Sequence, residues 1–352
     1  MSVAWIWRLR LPNQPMLRHL TLAISGGALL FVLTTVLSSF NDYQVAQIGV
    51  YAVALAGLTL LTGANGQISL GNGAFMAVGA YGAGLLLAHT DVPIAVALLL
   101  AVAVGAVAGV VIGIPASRLR GPYLAGMTLA LAVGLPSMVT KFSSVFGGDQ
   151  GLSIAPPTPP NGVDPERWLA WIVLLCVVIV LVLLGNLMRS RFGRAFRAVR
   201  DDEVAASLVG ISVARTQVLA FAVSAGCAGL AGGLFGLTIG GANPDAFNVQ
   251  LSISLLAGVV LGGTGSLFGV WWGAVLLVYV PQWATSVAGT LNLQTGQSSN
   301  LALLFYGVVL VVVMLAAPGG LQGGIRRLTT LFVDKVRAGI QPSLPSTEGE
   351  HT

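Results

Sequence analysis

Charged residues are scarce in this chain, and the scarcity indicates its class. Aspartate, glutamate, lysine and arginine make up 8% of the 352 residues, against about 25% in an average soluble domain. Apolar runs recur along nearly the whole length instead, and many reach the roughly 20 residues with which a helix crosses a bilayer. We therefore expect one continuous membrane domain.

The apolar runs are continuous and lack the alternation of a membrane β-barrel. Backbone polar groups inside lipid must be satisfied within the protein, which leaves helices as the remaining spanning structure. The sequence therefore predicts an all-α polytopic membrane protein.

The residues of most catalytic chemistries are also missing. Cys176 and Cys227 lie inside apolar runs without His or Cys neighbours at ligand spacing, so we expect neither a disulfide framework nor a metal site. Lys141 and Lys335 are the only lysines, and no G-x-x-x-x-G-K-[ST] phosphate-binding motif is present. Because a serine elbow is absent too, we predict a protein that is not an enzyme, uses no cofactor and binds no nucleic acid.

Breaking the apolar runs at polar or turn-rich segments predicts about ten spans. The first follows three arginines but is too long for a signal peptide, so we interpret it as retained. The eighth is the shortest. The predicted spans are 20–40, 44–61, 70–88, 92–115, 122–140, 168–187, 216–240, 249–263, 267–289 and 301–317.

The basic residues predict the orientation. If the N-terminus is cytoplasmic, 15 of the 17 lysines and arginines fall in inner segments, as the positive-inside rule requires. We therefore predict a cytoplasmic segment at 1–19, a transmembrane domain at 20–317 and a cytoplasmic tail at 318–352 with a disordered end. None of the predicted spans holds a charged residue, which argues against ion coupling inside the bundle.

A polar, glycine-rich stretch, "LTGANGQISLGNGAF" at 61–75, interrupts the apolar pattern. We call it the amide-rich segment. One interpretation is a broken helix beside a transport path, because irregular backbone at membrane depth must be buried or line a cavity. The other is an ordinary cytoplasmic turn. Five spans later, "GGANPDAFNVQ" at 240–250 has similar character, so spans 2–5 and 7–10 are a possible inverted repeat. The candidate path residues are Asn65, Gln67, Ser69, Asn72 and Asn243.

Charge is concentrated at residues 189–210, which we call the charged segment. Phe192, Phe196 and Val199 have helical spacing and predict an apolar face, with arginines opposite. Asp201 or Asp202 is expected to cap a second short helix that stops at Gly210. A basic loop touching anionic membrane lipid is the alternative, but the neighbouring acids favour a protein partner.

Several stretches together resemble the inner-membrane permeases of branched-chain amino-acid ABC importers of the LivM type. They are "NGQISLGNGAFMAVGAYGAG" (65–84), "GPYLAGMTLALA" (121–132), "GGDQGL" (147–152), "FGRAFRAVRDDEVAASLVGISVARTQVLAFAVSAGCAGLAGGLFG" (192–236) and "GGTGSLFGVWWGA" (262–274). The resemblance implies a second, homologous permease, two cytoplasmic ABC ATPases, and a periplasmic or lipid-anchored solute-binding protein. ATP would be hydrolysed on the separate ATPase subunits.

The resemblance also implies that the charged segment seats in the ATPases. In the E-A-A-x-x-x-G pattern of ABC importers, Ala205, Ala206 and Gly210 align, whereas Val204 stands at the glutamate position and the acid is one residue earlier. Which acid contacts the ATPase stays open. The candidate ATPase-coupling residues are Arg191, Arg194, Arg197, Arg200, Asp202, Glu203, Ala206 and Gly210.

These observations favour a permease subunit of an ATP-driven importer for branched-chain amino acids in the bacterial inner membrane. Permeases for urea and short amides share the same motifs, so the same machinery with such a solute is one alternative. An ion-coupled secondary transporter and a membrane scaffold without transport are two others. The charge-free spans argue against the secondary transporter, and the amide-rich segment argues against the scaffold.

Overall fold

The computed structural model describes residues 39–119, 121–160 and 162–290, with a few residues between 304 and 323. Among these residues, helices dominate and two short strands pair with each other. In chain order the elements are α1 (Ser39–Leu58), α2 (Asn72–His89), α3 (Ile94–Ala116), α4 (Pro122–Lys141), α5 (Ser143–Phe146), β1 (Leu152–Ser153), α6 (Pro165–Arg189), α7 (Arg191–Asp201), α8 (Glu203–Leu208), α9 (Val213–Ile239), β2 (Gly241–Ala242), α10 (Val249–Gly262) and α11 (Gly269–Thr290).

Helix α9 lies at the centre and packs against α1, α2 and α3. Its glycines bring backbones together: Gly229 approaches Gly79 of α2, and Gly232 approaches the Met76 carbonyl. Close approach through small residues is how membrane helices associate without a hydrophobic driving force between them. The glycines of α9 therefore let the central helices pack tightly.

Helix α3 separates its two faces by side-chain size. Most of its buried positions are small and follow the i, i+4 spacing of one helical stripe, whereas large aliphatic side chains such as Leu99, Val107 and Val111 are exposed. An exposed face of this kind suits lipid, since acyl chains are as apolar as leucine. The buried stripe consists of Ala97, Ala101, Gly105, Gly109 and Gly113.

Five helical segments within the described residues are long and apolar enough to cross a membrane. They correspond to predicted spans 2, 4, 5, 6 and 7, and helices α2, α10 and α11 coincide with spans 3, 8 and 9. Spans 1 and 10 fall largely outside the described residues, as do the segments 1–19 and 324–352, so the count of ten stays a prediction. The five crossing segments are Asp42–Ala64, Ile94–Ala116, Pro122–Lys141, Pro165–Arg189 and Val213–Ile239.

One part of the sequence prediction is wrong at α1. The helix begins at Ser39, five residues before the predicted start, and its crossing segment includes Asp42. The Asp42 carboxylate is fully buried and accepts a 3.2 Å hydrogen bond from Nε of Arg167. Because Arg167 lies 125 residues away in the chain, its neutralising charge is not visible from the local pattern of the second span. The spans are therefore not free of charge.

The bundle has two distinct ends. The charged segment lies before α9, and β2 lies after it, so the 27 residues of α9 separate them by about 40 Å. At the β2 end, Leu152 of β1 pairs with Ala242, and Ser153 pairs with Gly241. We call these the charged end and the far end.

Two irregular stretches enter the bundle from these opposite ends. The amide-rich segment leads into α2, and a 3-10 turn at Pro244–Phe247 leads into α10. The two helices meet at their first turns, where the Gly73 amide donates to Oγ of Ser252 at 3.0 Å. Helix α10 has 14 residues, or about 21 Å, which is why it falls short of a full span by itself. This arrangement suits the predicted inverted repeat, which stays a prediction.

Candidate functional site: the charged segment and the adjoining cleft

Two short helices form the charged segment, and each has a side-chain cap. Ser190 Oγ accepts from the Phe192 amide at 3.1 Å and begins α7. Asp202 Oδ1 accepts from the amides of Val204 at 2.8 Å and Ala205 at 3.0 Å and begins α8. Such caps satisfy amides that have no partner within the helix.

The second helix ends where the sequence predicts. Gly210, with φ of 83°, follows the end of α8. The predicted pair of short helices with an acidic cap on the second is confirmed, and Asp202 is the capping acid. The Ser190 cap of the first helix was not predicted.

The face by which α7 packs differs from the prediction. Gly193, Phe196 and Val199 are buried, whereas Phe192 is 40% exposed. A side chain at position 193 would collide with the backbone of Met188, because α7 turns back against the end of α6. The packing face therefore contains Gly193 in place of the predicted Phe192. The glycine in the sequence was the available signal, because only a residue without a side chain fits against Met188.

The four arginines of α7 divide into two pairs. Arg197 Nη1 donates to the Met188 carbonyl at 2.9 Å, and Arg200 Nη1 donates to the Gly63 carbonyl at 2.6 Å. Both thereby attach α7 to the membrane helices. Arg191 and Arg194 are exposed, and the Arg191 guanidinium lies 5.0 Å from the centre of the Phe192 ring.

Helix α8 presents apolar side chains to the surroundings. Val204, Leu208 and Val209 at its start and end are 65%, 83% and 76% exposed. Ala206 is buried on the opposite side. An exposed apolar face on α8 was not predicted, although the i, i+4 spacing of Val204 and Leu208 in "EVAASLVG" indicates one.

The two acids among the candidate coupling residues are engaged within the chain. Asp202 caps α8, and Glu203 Oε1 accepts from Nε2 of Gln217 in α9 at 3.0 Å. Both carboxylates therefore hold the charged segment in shape, and the exposed surface of α8 is mainly apolar.

The predicted break in the amide-rich segment is confirmed. After α1 the chain makes a π-helical stretch at Thr59–Ala64, turns through Gly66 with φ of 76°, and begins α2 at Asn72. Short π-helical stretches are uncommon and occur often at functional sites. The four predicted path residues on this segment, Asn65, Gln67, Ser69 and Asn72, are all buried.

One side chain from a distant helix and one from the segment itself satisfy part of this irregular backbone. The Leu70 amide donates to Oγ1 of Thr128 in α4 at 2.9 Å, and the Gly71 amide donates to Oγ of Ser69 at 3.2 Å. Thr128 and Ser252 are residues that the sequence analysis missed, since neither stands in an unusual local pattern.

Asn243 is not brought to the other path candidates. It follows β2 at the far end, is exposed, and accepts from the Asp245 amide through Oδ1 at 3.0 Å. Its local role is to begin the 3-10 turn that precedes α10. Asn248, which caps α10 by accepting from the Leu251 amide, lies closer to the start of α2.

A cleft of about 390 Å³ separates the amide-rich segment from the charged segment. Its polar wall contains three amide side chains, those of Asn65, Gln67 and Gln217, and the charged side chains of 200–203. Leu119, Leu124 and Val199 contribute apolar surface. Among the described residues, no group of three or more His, Cys, Asp or Glu could hold a metal ion.

Comparison with known proteins places this architecture in a family. The profile described as "Branched-chain amino acid transport system / permease component" matches residues 42–314. This range includes the amide-rich segment, the charged segment and every helix from α2 to α11.

Three curated relatives illustrate the family's range. The chain is 34% identical over 297 residues to the high-affinity branched-chain amino acid transport system permease protein LivM of Salmonella typhimurium, covering 77% of this chain and 67% of LivM. It is 34% identical over 188 residues to the autoinducer 2 import system permease protein LsrC of Klebsiella pneumoniae, covering 51% and 52%. It is 26% identical over 298 residues to the permease protein LivH of the same Salmonella system, covering 78% and 91%. No solved structure matches the chain.

Proposed function

This chain belongs to the branched-chain amino acid transport system permease family, and we propose that it is a membrane subunit of an ATP-driven importer for branched-chain amino acids. The observation that carries the proposal is the charged segment, a capped pair of helices that is fastened to the bundle on one side and exposed on the other. The charged end would face the cytoplasm, where ATP is available.

The exposed surface of the charged segment is the proposed ATPase-docking surface. It combines the apolar side chains of Val204, Leu208 and Val209 with the guanidinium groups of Arg191 and Arg194. Protein interfaces commonly place a few large anchors in partner pockets and surround them with charge that steers association. In this proposal, Asp202 and Glu203 shape the surface without themselves docking.

Force on this surface would reach the membrane helices through two hydrogen bonds. Arg197 connects α7 to the end of α6, and Arg200 connects it to the π-helical stretch after α1. Closure of two ATPases around ATP would therefore move the amide-rich segment together with the charged segment. We propose that this movement opens the solute path beside Asn65, Gln67, Ser69 and Asn72.

The other partners follow from the family. A second permease homologous to this chain would complete the membrane part, as the pair of names LivM and LivH in one transport system suggests. Two ATPases and a solute-binding protein, periplasmic or lipid-anchored, would complete the importer. Asn243 at the far end stays a candidate for contact with incoming solute.

Branched-chain amino acids are the proposed solute because LivM of Salmonella bears that name at 34% identity over most of this chain. The name of LsrC assigns a different solute to a permease of comparable identity over half the chain. Uptake should therefore be measured with leucine, isoleucine and valine, and with urea and short amides as competitors. Competition by urea alone would reassign the solute without changing the rest of the proposal.

The docking surface can be tested by co-purification. Leu208→Asp places a charge at the most exposed apolar position of α8, and Arg191→Glu with Arg194→Glu reverses the charge of the two arginines of α7 on the docking surface. Each should abolish co-purification with the ATPases while membrane insertion is retained. Val145→Asp is the matched control, because Val145 is a half-exposed apolar residue at the far end. Undiminished ATPase recovery with Leu208→Asp would contradict the assignment of this surface.

A further inference from the structure

The cleft between the amide-rich and charged segments contains unpaired polar atoms. Asn65 donates to Gln67 through Nδ2 at 2.8 Å, and Gln217 donates to Glu203 through Nε2. These bonds leave Asn65 Oδ1, Gln67 Nε2 and Gln217 Oε1 without partners among the described residues. The three side chains are only 3%, 5% and 5% exposed.

Unpaired atoms of this kind destabilise the fold, because a buried donor or acceptor without a partner has lost its hydrogen bonds to water and gained none in return. These three atoms belong to side chains that line one cleft, and the side chains come from two segments more than 100 residues apart in the chain. A cavity with convergent polar groups and an apolar wall is the usual form of a small-molecule site. The arrangement therefore points to a ligand.

We propose that this cleft binds a small aliphatic α-amino acid as its zwitterion. The two unpaired acceptors, Asn65 Oδ1 and Gln217 Oε1, suit an ammonium group, and Glu203 beside Gln217 supplies negative charge. The unpaired donor, Gln67 Nε2, suits a carboxylate, and the guanidinium of Arg200 lies on the same wall.

The remaining walls select the rest of the ligand. Leu119, Leu124 and Val199 offer an aliphatic surface, which a branched hydrocarbon side chain would cover. Charges of both signs border the cleft, so an inorganic anion or a simple cation would meet repulsion on one side, whereas a zwitterion satisfies both. The volume of about 390 Å³ lies within the usual 300–1,000 Å³ of small-ligand sites.

A ligand in this cleft would join parts that must move. It would touch the amide-rich segment, α4, the junction of α7 and α8, and α9 at once. Bound amino acid would thus hold the charged segment against the bundle and slow the transport cycle. This inference rests on the proposed function: the ligand would be imported solute that has accumulated on the cytoplasmic side.

Direct binding tests the inference. The transporter, assembled with its second permease and ATPases in nanodiscs but without solute-binding protein, is dialysed against radiolabelled L-leucine. We expect one saturable site per copy of this chain. The competitors 4-methylpentanoate and 3-methylbutylamine, which lack the ammonium and carboxylate groups respectively, should displace leucine at least tenfold less well than valine does.

Variants assign the site. Gln67→Leu and Gln217→Leu should each raise the leucine dissociation constant at least tenfold. Gln47→Leu makes the same chemical change in α1 at a position that does not line the cleft, where Gln47 donates to the Tyr43 hydroxyl, and should leave the dissociation constant within twofold. Ile68→Trp places a larger side chain at a half-exposed position on the rim of the cleft and should also abolish binding. Because this position is not buried, the variant should fold even if a glutamine variant does not.

Each outcome is decisive. Three results would overturn the inference. The first is the absence of saturable binding, and the second is binding that neither Ile68→Trp nor the two glutamine variants affect. The third is binding that occurs only when the ATPases are removed. Leucine uptake is measured in proteoliposomes with the binding protein, using the same preparations. Uptake without binding would refute the cleft site and leave the proposed function standing, whereas a transporter that never moves leucine would refute the proposed function and this inference with it.

Discussion

The Nη1 atom of Arg200 donates a 2.6 Å hydrogen bond to the backbone carbonyl of Gly63. The bond joins two segments 137 residues apart, and the aliphatic part of Arg200 also packs against Gly66, where a Cβ atom would lie 2.6 Å from Arg200 Cγ. Arg200 therefore connects the charged segment directly to the break after α1.

Replacing Arg200 with Gln should uncouple ATP hydrolysis from transport. A hydrogen bond from a charged donor contributes about 1.5–3 kcal/mol, so we expect leucine uptake to fall about tenfold or more while the ATPases still co-purify. Uptake and ATP hydrolysis are measured together in proteoliposomes. Arg215→Gln is the control, since Arg215 is an exposed arginine at the start of α9, and equal losses in both variants would speak against a specific role of the Gly63 bond.

A methyl group at Gly79 should destabilise the bundle. The Cβ of Gly79→Ala would collide with the Gly229 backbone, whereas the Cβ of Gly82→Ala would lie 3.7 Å from Val104 in ordinary contact. Overpacking typically costs about 1–3 kcal/mol. We expect thermal unfolding in detergent to begin at a clearly lower temperature for Gly79→Ala than for Gly82→Ala, and equal midpoints would show that α2 and α9 are not packed this closely.

The ion pair of Asp42 and Arg167 should be needed for the association of α1 with α6. Removing one partner of a buried pair costs about 3–5 kcal/mol, and the cost should be smaller here because Arg167 is 26% exposed. Arg167→Leu should therefore lower the unfolding temperature, and Asp42→Asn added to it should restore part of the loss. Lys141→Leu, at an exposed cation of α4, should have little effect. A double variant no more stable than Arg167→Leu would contradict the pairing.

The proposed orientation predicts which positions a membrane-impermeant maleimide reaches. In a background with Cys176→Ala and Cys227→Ala, Ser207→Cys in α8 should be labelled only after the cytoplasmic face is opened. Ser144→Cys in α5 should be labelled in intact cells. Labelling of position 207 from outside would reverse the orientation and remove the proposed ATPase-docking surface from the cytoplasm.

The parts of the site that were predictable are those with local causes. Asp202 and Gly210 act on backbone within three residues of themselves, so the cap and the stop of the second helix could be predicted from the sequence. The Ser190 cap is equally local but was missed. The break in the amide-rich segment was likewise predictable, because its glycines and amides interrupt an apolar run over a dozen residues.

The parts that were missed depend on residues far away in the chain. The partner of Asp42 lies 125 residues away, Thr128 receives a bond from an amide 58 residues earlier, and Ser252 receives one from 179 residues earlier. Helical spacing alone also placed Phe192 on the packing face, since it does not reveal how closely α7 approaches Met188.

The sequence by itself determined the membrane class, most span positions, and the two short helices of the charged segment with the acidic cap of the second, because hydrophobic length and capping act over a few consecutive residues. Only the tertiary structure decided which arginines bond to the membrane helices, which carboxylates are engaged, and that three amides from two distant segments meet in one cleft. The physical reason is that a side chain's partner is set by how helices cross, and crossing depends on the small residues of several helices at once.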